Sequence, residues 1–205
     1  MNEHFVKLKD AVQKWLTKLF DGSLPHNQPE GTAFAMAVTW EMRPTDGERL
    51  RLFGSPNKVK ESPSQLRIQN ILKSNGVKLE WKQWMVDFLV ADLQSKTNSL
   101  PKVACESEMY GNFNVEYVID ADHGHVFDFC KLLHFCSPHL LFIGRVTHKR
   151  LVKLQESLQL CAREYHELWA GRTLSVILLP TSQKIDMVHV GVGKRNGAIE
   201  FRSLN

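Results

Sequence analysis

No Cys-x-x-Cys pair occurs among the four cysteines, Cys105, Cys130, Cys136 and Cys161. A small zinc module or a thioredoxin-like redox site would need that spacing. Most of the four sit in or beside apolar runs, which reads as buried free thiols. Such thiols suit a reducing, cytoplasmic compartment. No run approaches the roughly 18 apolar residues of a membrane span. The first 22 residues are amphipathic and Lys-rich and lack the apolar stretch of a secretory signal. Charge of one sign is also scarce: Lys and Arg number 26, Asp and Glu 22, for a net charge of +4. This mild excess permits an anionic partner without demanding one. No internal repeat or low-complexity segment is visible.

What is present is an ordinary globular composition, 43% hydrophobic and 23% charged over 205 residues. One domain accommodates that length. Phe5, Leu8, Val12, Trp15, Leu16 and Leu19 recur at spacings of three and four, predicting a helix from Glu3 to Phe20. Residues 32–42 alternate in part and lean toward strand. Leu50 and Leu52 suggest a short return strand. Ser62-Pro63 opens a helix that Gly76 stops. Residues 79–92 are rich in Trp, Val, Phe and Leu and read as one strand. Val103–Glu108 reads as another, with a weaker candidate at Val115–Ile119. Then come a helix over Val126–Phe135, a strand over Leu140–Val146 and a long helix over Lys149–Leu168. Strands follow at Leu174–Leu179, Met187–Val192 and Ala198–Arg202. This order predicts an α/β fold with a central mixed sheet flanked by helices. Residues 1–60 read as an N-terminal extension of a helix and a β-hairpin, and 61–205 as the core.

The chemistry concentrates in three places. Glu106 and Glu108 are two apart, so on a strand they share a face. Like charges that close, in a mostly apolar strand, call for a cation. Carboxylate oxygens suit a hard divalent ion such as Mg²⁺, or Mn²⁺. Asp87 is a lone acid inside an apolar segment and needs a partner. Asp128 and Lys131 are three apart on a helix and share a face. If that helix packs over the Glu106 strand, Lys131 brings a positive charge to the site. An intrahelical Asp128–Lys131 pair and a solvated acidic strand face are the plainer readings of the same residues.

An acid in a strand (Asp87), an acid-x-acid strand about twenty residues later (Glu106-Ser107-Glu108), then Gly111 and a helix together resemble the PD-(D/E)XK nuclease superfamily. An acid in place of the usual lysine is similar to restriction endonucleases of the BamHI type, which use Glu-x-Glu. The resemblance runs from Trp81 to Val146. Val86 stands where the superfamily's proline precedes its aspartate, and the lysine has moved to the helix as Lys131. The resemblance implies a restriction-endonuclease-like fold and a divalent-metal-dependent endonuclease acting on double-stranded DNA. Asp87, Glu106 and Glu108 would bind Mg²⁺, and Lys131 would assist electrostatically with Asp128 beside it. Glu80 or Glu61 would be an outer ligand. Cutting both strands of a symmetric site suits a homodimer.

Basic residues at Lys58, Lys60, Arg145, Lys149, Arg150 and Lys153 are candidates for phosphate contacts, against the plainer reading of a solvated helix face. Two readings from other classes stand beside the nuclease. One is a DNA-binding or protein-interaction module with a degenerate site. The other is a small zinc protein, built on Cys130, His134, Cys136 and His139 or on the run Asp120–His125.

Overall fold

The computed structural model describes residues 3–26, 28–44, 49–55, 63–81, 85–94, 99–108, 123–181 and 187–204. The strand expected at Val115–Ile119, and Lys58, Lys60, Glu61 and Asp120 to Asp122, lie outside the described residues.

Helix α1 spans Glu3–Phe20 as its stripe predicts, and every stripe residue is buried. Asp21 and Gly22 adopt positive φ, 50° and 84°. The Gly22 N–H returns to the Leu16 carbonyl at 3.2 Å, closing the helix end.

Helix α2, Gln28–Glu41, replaces the strand expected over residues 32–42. Gly31 to Trp40 are all buried, because α2 is enclosed by α1, by the sheet and by α3 (Pro63–Ser74). A helix apolar all round shows no stripe, so its short alternation mimics a strand. Ala33, Ala35 and Ala37 decide the matter: alanine is the best helix former, and its small side chain allows close packing.

The eight strands form one mixed sheet in the order β2-β1-β3-β4-β5-β6-β7-β8. They are β1 Leu50–Gly54, β2 Leu79–Trp81, β3 Phe88–Leu93, β4 Ser99–Glu108, β5 His139–Val146, β6 Thr173–Pro180, β7 His189–Gly193 and β8 Ile199–Ser203. Strands β4, β5 and β6 run parallel, while β3 and β7 pair antiparallel at either side of them. Residues 1–60 thus contribute two helices over the sheet and a strand hydrogen-bonded inside it.

The strand expected over residues 79–92 is two strands, β2 and β3, that are not neighbours. Asp87 therefore stands at the entrance to β3 rather than within it. Its carbonyl accepts the Ser55 N–H at 2.9 Å. Strand β4 is longer than expected and contains Pro101. The register slips there, from Val90↔Val103 to Ala91↔Pro101, and a bulge is where a strand tolerates a residue without an N–H.

Helix α4, His123–His134, follows β4. The long helix expected over 149–168 is divided into a 3-10 turn at His148–Arg150, α5 (Leu151–Glu164) and α6 (His166–Trp169). The break lets Trp169 fold back and donate its indole N–H to the Ala162 carbonyl at 2.8 Å.

Two cores lie on the two faces of the sheet. Val103, Cys105, Leu141, Ile143 and Ile177 pack against α1 and α2. Ala104, Leu140, Phe142, Val176 and Leu178 pack with residues of α4 and α5. Strict alternation on strands buried on both sides produces this division.

On the α1 face a polar knot fixes the helix to the sheet. His4 Nε2 and His139 Nε2 each lie 2.9 Å from the hydroxyl of buried Ser175. The rings meet edge to face, with centroids 4.8 Å apart. Burial, then the neighbouring His4 and Lys7, push the His139 imidazole down to about 3, although the Met42 carbonyl opposes this. A histidine whose folded pKa is depressed stabilises the fold above its unfolded value of 6.5 and loses that contribution as the pH falls below it. Each pH unit below 6.5 then removes about 1.4 kcal/mol. Urea unfolding of wild type and His139→Asn at pH 7.5, 6 and 4.5 measures this. The penalty of the substitution should shrink at that rate as the pH falls; a pH-independent penalty would refute the assignment.

Candidate active site

The register of β4 places Glu106 beside Phe142 and Glu108 beside Gly144 of β5. Ala104 belongs to the core under α4, so Glu106 and Glu108 also face that side. Glu106 is 1% exposed. Lys131 of α4 reaches it: Nζ lies 3.0 Å from Glu106 Oε1 and 3.1 Å from Asp128 Oδ1. Lys131 thus pairs with Glu106 and Asp128 at once.

Burial, then the charge of Asp87, raise the Glu106 carboxyl to about 8, and Lys131 only partly offsets this. For Lys131, burial acts to lower the ammonium pKa, but Glu106 and Asp128 outweigh it and hold it above its ordinary value. Burial favours a proton on Glu106, and the ammonium 3.0 Å away opposes it.

Asp87 enters from β3. Its Oδ2 accepts both the backbone N–H of Ser107, at 3.0 Å, and its hydroxyl, at 2.9 Å. Glu108 is half-buried, and its carboxylate rests against the first turn of α4, with Oε2 3.8 Å from the position a Cβ on Gly124 would take. The positive end of the helix dipole favours a carboxylate there. The structure thus brings Asp87, Glu106, Asp128 and Lys131 together, with Glu108 at the adjoining helix end.

His125, in the first turn of α4, is also buried. Its Nε2 is 2.8 Å from the Arg145 carbonyl, which can only accept, so Nε2 carries the proton. Its Nδ1 lone pair then meets no donor.

The basic candidates divide. Lys149 and Arg150 are exposed on the turn after β5, and Lys153 is exposed at the start of α5. They follow the carboxyl end of β5, the end at which Glu106 and Glu108 stand on parallel β4. Arg145 lies on the opposite face, where its guanidinium donates to the His26 carbonyl at 3.2 Å. Glu80 is on edge strand β2, 3.5 Å from Arg51. Two strands separate it from β4.

The zinc set is not assembled. His139 points to Ser175 on the α1 face. His134 Nδ1 bonds the Cys130 carbonyl within its own helix. Cys136 is exposed, and the Cys130 thiol, raised to about 12 by burial and by Cys161, turns toward Cys161. Among the described residues no three His, Cys, Asp or Glu side chains are grouped to hold a metal ion.

Ser107 and Gly124 were not singled out by the sequence. Ser107 sat inside the acid-x-acid motif as the spacer, and only its bonds to Asp87 give it a role. No family model and no curated protein matches the chain.

A raised carboxyl stabilises the fold below its unfolded pKa and loses that contribution as the pH rises through the folded value. For Glu106 that window runs from 4.5 to about 8. Glu106→Gln should therefore gain stability on wild type by roughly 1.4 kcal/mol per pH unit across it. Lys131→Met, which strands the carboxylate, should cost about 1–3 kcal/mol, and more at pH 9 than at pH 5. Chemical denaturation at those two pH values reads both, and a cost that does not depend on pH would show that the two side chains are not paired.

Proposed function

We propose that the protein is a divalent-metal-dependent phosphodiesterase acting on double-stranded DNA, on a restriction-endonuclease-like fold. The observation that carries this reading is the enclosed Glu106 carboxyl, set against Asp87 and the Lys131 ammonium. Whenever it is ionised, a carboxylate so enclosed favours a cation. The donor set is all oxygen, which suits Mg²⁺ or Mn²⁺. Asp87, Glu106 and Glu108 would hold the ion. When bound, it would supply an activated water and charge neutralisation at the phosphate.

The chain's own groups have separate tasks. Lys131 Nζ, already 3.0 Å from Glu106, presents a fixed positive charge to the scissile phosphate or the attacking water. Asp128 holds the ammonium from the other side. Ser107 orients Asp87 through two hydrogen bonds to one oxygen. Lys149, Arg150 and Lys153, exposed near the carboxyl end of β5, are placed for the backbone of a duplex.

A second reading has its own observation. Asp87 Oδ2 is already engaged by Ser107, and no three-ligand group stands ready among the described residues. That arrangement fits a DNA-binding or protein-interaction module in which the carboxylates serve only structure.

Cleavage of supercoiled and linear duplex DNA, with and without millimolar Mg²⁺ or Mn²⁺, separates the two. The nuclease should cut only with metal. Glu106→Gln and Lys131→Ala should each lower the rate about 10²–10³-fold while leaving duplex affinity within a few fold. Metal-independent binding without cutting by folded wild type would move the assignment to the binding module.

A further inference from the structure

A second cleft lies away from the carboxylates. It has a volume of about 390 Å³ and is lined by His166, Trp169 and the segment Ala170–Thr173 on one side, and by Gly193, Lys194 and Arg195 on the other. These are the turn from α6 into β6 and the turn between β7 and β8. The cleft sits at the amino end of β6, whereas the carboxylate site sits at the carboxyl end of β4. Parallel pairing through β5 makes those opposite ends of the sheet.

Three cations and no acid line this cleft: Arg172, Lys194 and Arg195. Nearby acids do not cancel them. Lys194 Nζ meets Glu200 Oε2 at 2.7 Å, but Glu200 is shared with Arg202, so one carboxylate serves two cations. Glu167 of α6 does not line the cleft. Arg172 spends one guanidinium nitrogen on the Phe135 carbonyl, at 2.8 Å. That bond anchors the side chain toward Phe135, outside the lining of the cleft. Arg195 is exposed at the tip of the β7–β8 turn. The turn is rigidly built: Lys194 N–H bonds the Ala198 carbonyl at 2.7 Å, and Gly197, at φ +80°, returns its N–H to Lys194 at 3.0 Å. The His166 ring is held edge to face against buried Trp169, centroids 5.1 Å apart. Gly193 completes the wall, since a Cβ there would stand 2.8 Å from the Trp169 ring.

We propose that this cleft binds a phosphoryl group, carried by a nucleotide or by the end of a nucleic-acid strand. Lys194 and Arg195 on one anchored turn, with Arg172 on the facing wall and no acid in the lining, favour a multiply charged oxyanion over a single carboxylate. The volume falls in the range of small-ligand sites. The half-buried His166 ring adds a flat surface beside the charges. The site does not depend on the carboxylate cluster or on the nuclease reading.

Isothermal titration of the full chain with inorganic phosphate, AMP, and a short oligonucleotide with or without a 5′-phosphate tests this at low salt in a phosphate-free buffer. Saturable binding should appear, and Arg195→Gln and Lys194→Gln should each weaken it about 10-fold. Arg163→Gln, an exposed change outside the cleft, should leave it unchanged, and so should Glu106→Gln. Preference for AMP assigns the source as a free nucleotide. Preference for the phosphorylated over the unphosphorylated strand assigns it as a strand end. Absence of saturable binding to any of these, or equal affinity in Arg195→Gln, Lys194→Gln and wild type, overturns the proposal. Both substituted side chains are exposed, and circular dichroism checks that each variant is folded.

Discussion

The central strands are buried on both faces, and that constraint governs the rest. Residues 103–107 of β4 and 139–144 of β5 have no open side. An acid on such a strand must find a cation, or stay protonated, or the strand will not fold. Glu106 meets the condition through Lys131, which only α4 can deliver. The position of α4 is therefore fixed twice: by Phe129, Leu132 and Leu133 sinking into the core, and by Lys131 reaching the carboxylate. Asp128 and the approach of Glu108 to Gly124 follow from that placement.

The two faces of the sheet bury polar groups of different kinds. On the α1 side, Ser175 meets two imidazoles, and a backbone carbonyl takes part. Those groups find their partners locally, and the knot anchors the N-terminal helix. On the α4 side, Glu106 is buried against the Lys131 ammonium, and Asp128 and Asp87 stand beside the pair. Buried charge of that kind is a frequent mark of a binding or catalytic site.

Legibility varied with the kind of pattern. Helix α1 was read to the residue, because one face is buried and the other wet. Strands β5 and β6 were read within a residue or two, since apolar runs of that length between breakers leave little choice. Helix α2 was misread, because full enclosure erases the stripe that marks a helix. Residues 79–92 were read as one strand because β-forming residues continue through a segment the chain uses to cross from the sheet edge to β3. Among the site residues, Glu106, Asp128 and Lys131 could be named from spacing. The position of Arg145 on the opposite face could not be inferred without knowing that β5 is covered on both sides.

The sequence by itself determined the class of the protein, a mixed α/β sheet with helices, and named Asp87, Glu106, Asp128 and Lys131, which the fold brings together. Periodicity and composition are local properties, and neighbouring residues suffice to express them. Tertiary structure alone decided which of those groups meet. The 3.0 Å approach of Lys131 to Glu106 joins side chains 25 positions apart, and the His4–Ser175 contact spans 171. The basic cleft needs the turn before β6 and the turn between β7 and β8. Such contacts depend on strand register and on which face each helix covers, and no short window of sequence carries that information.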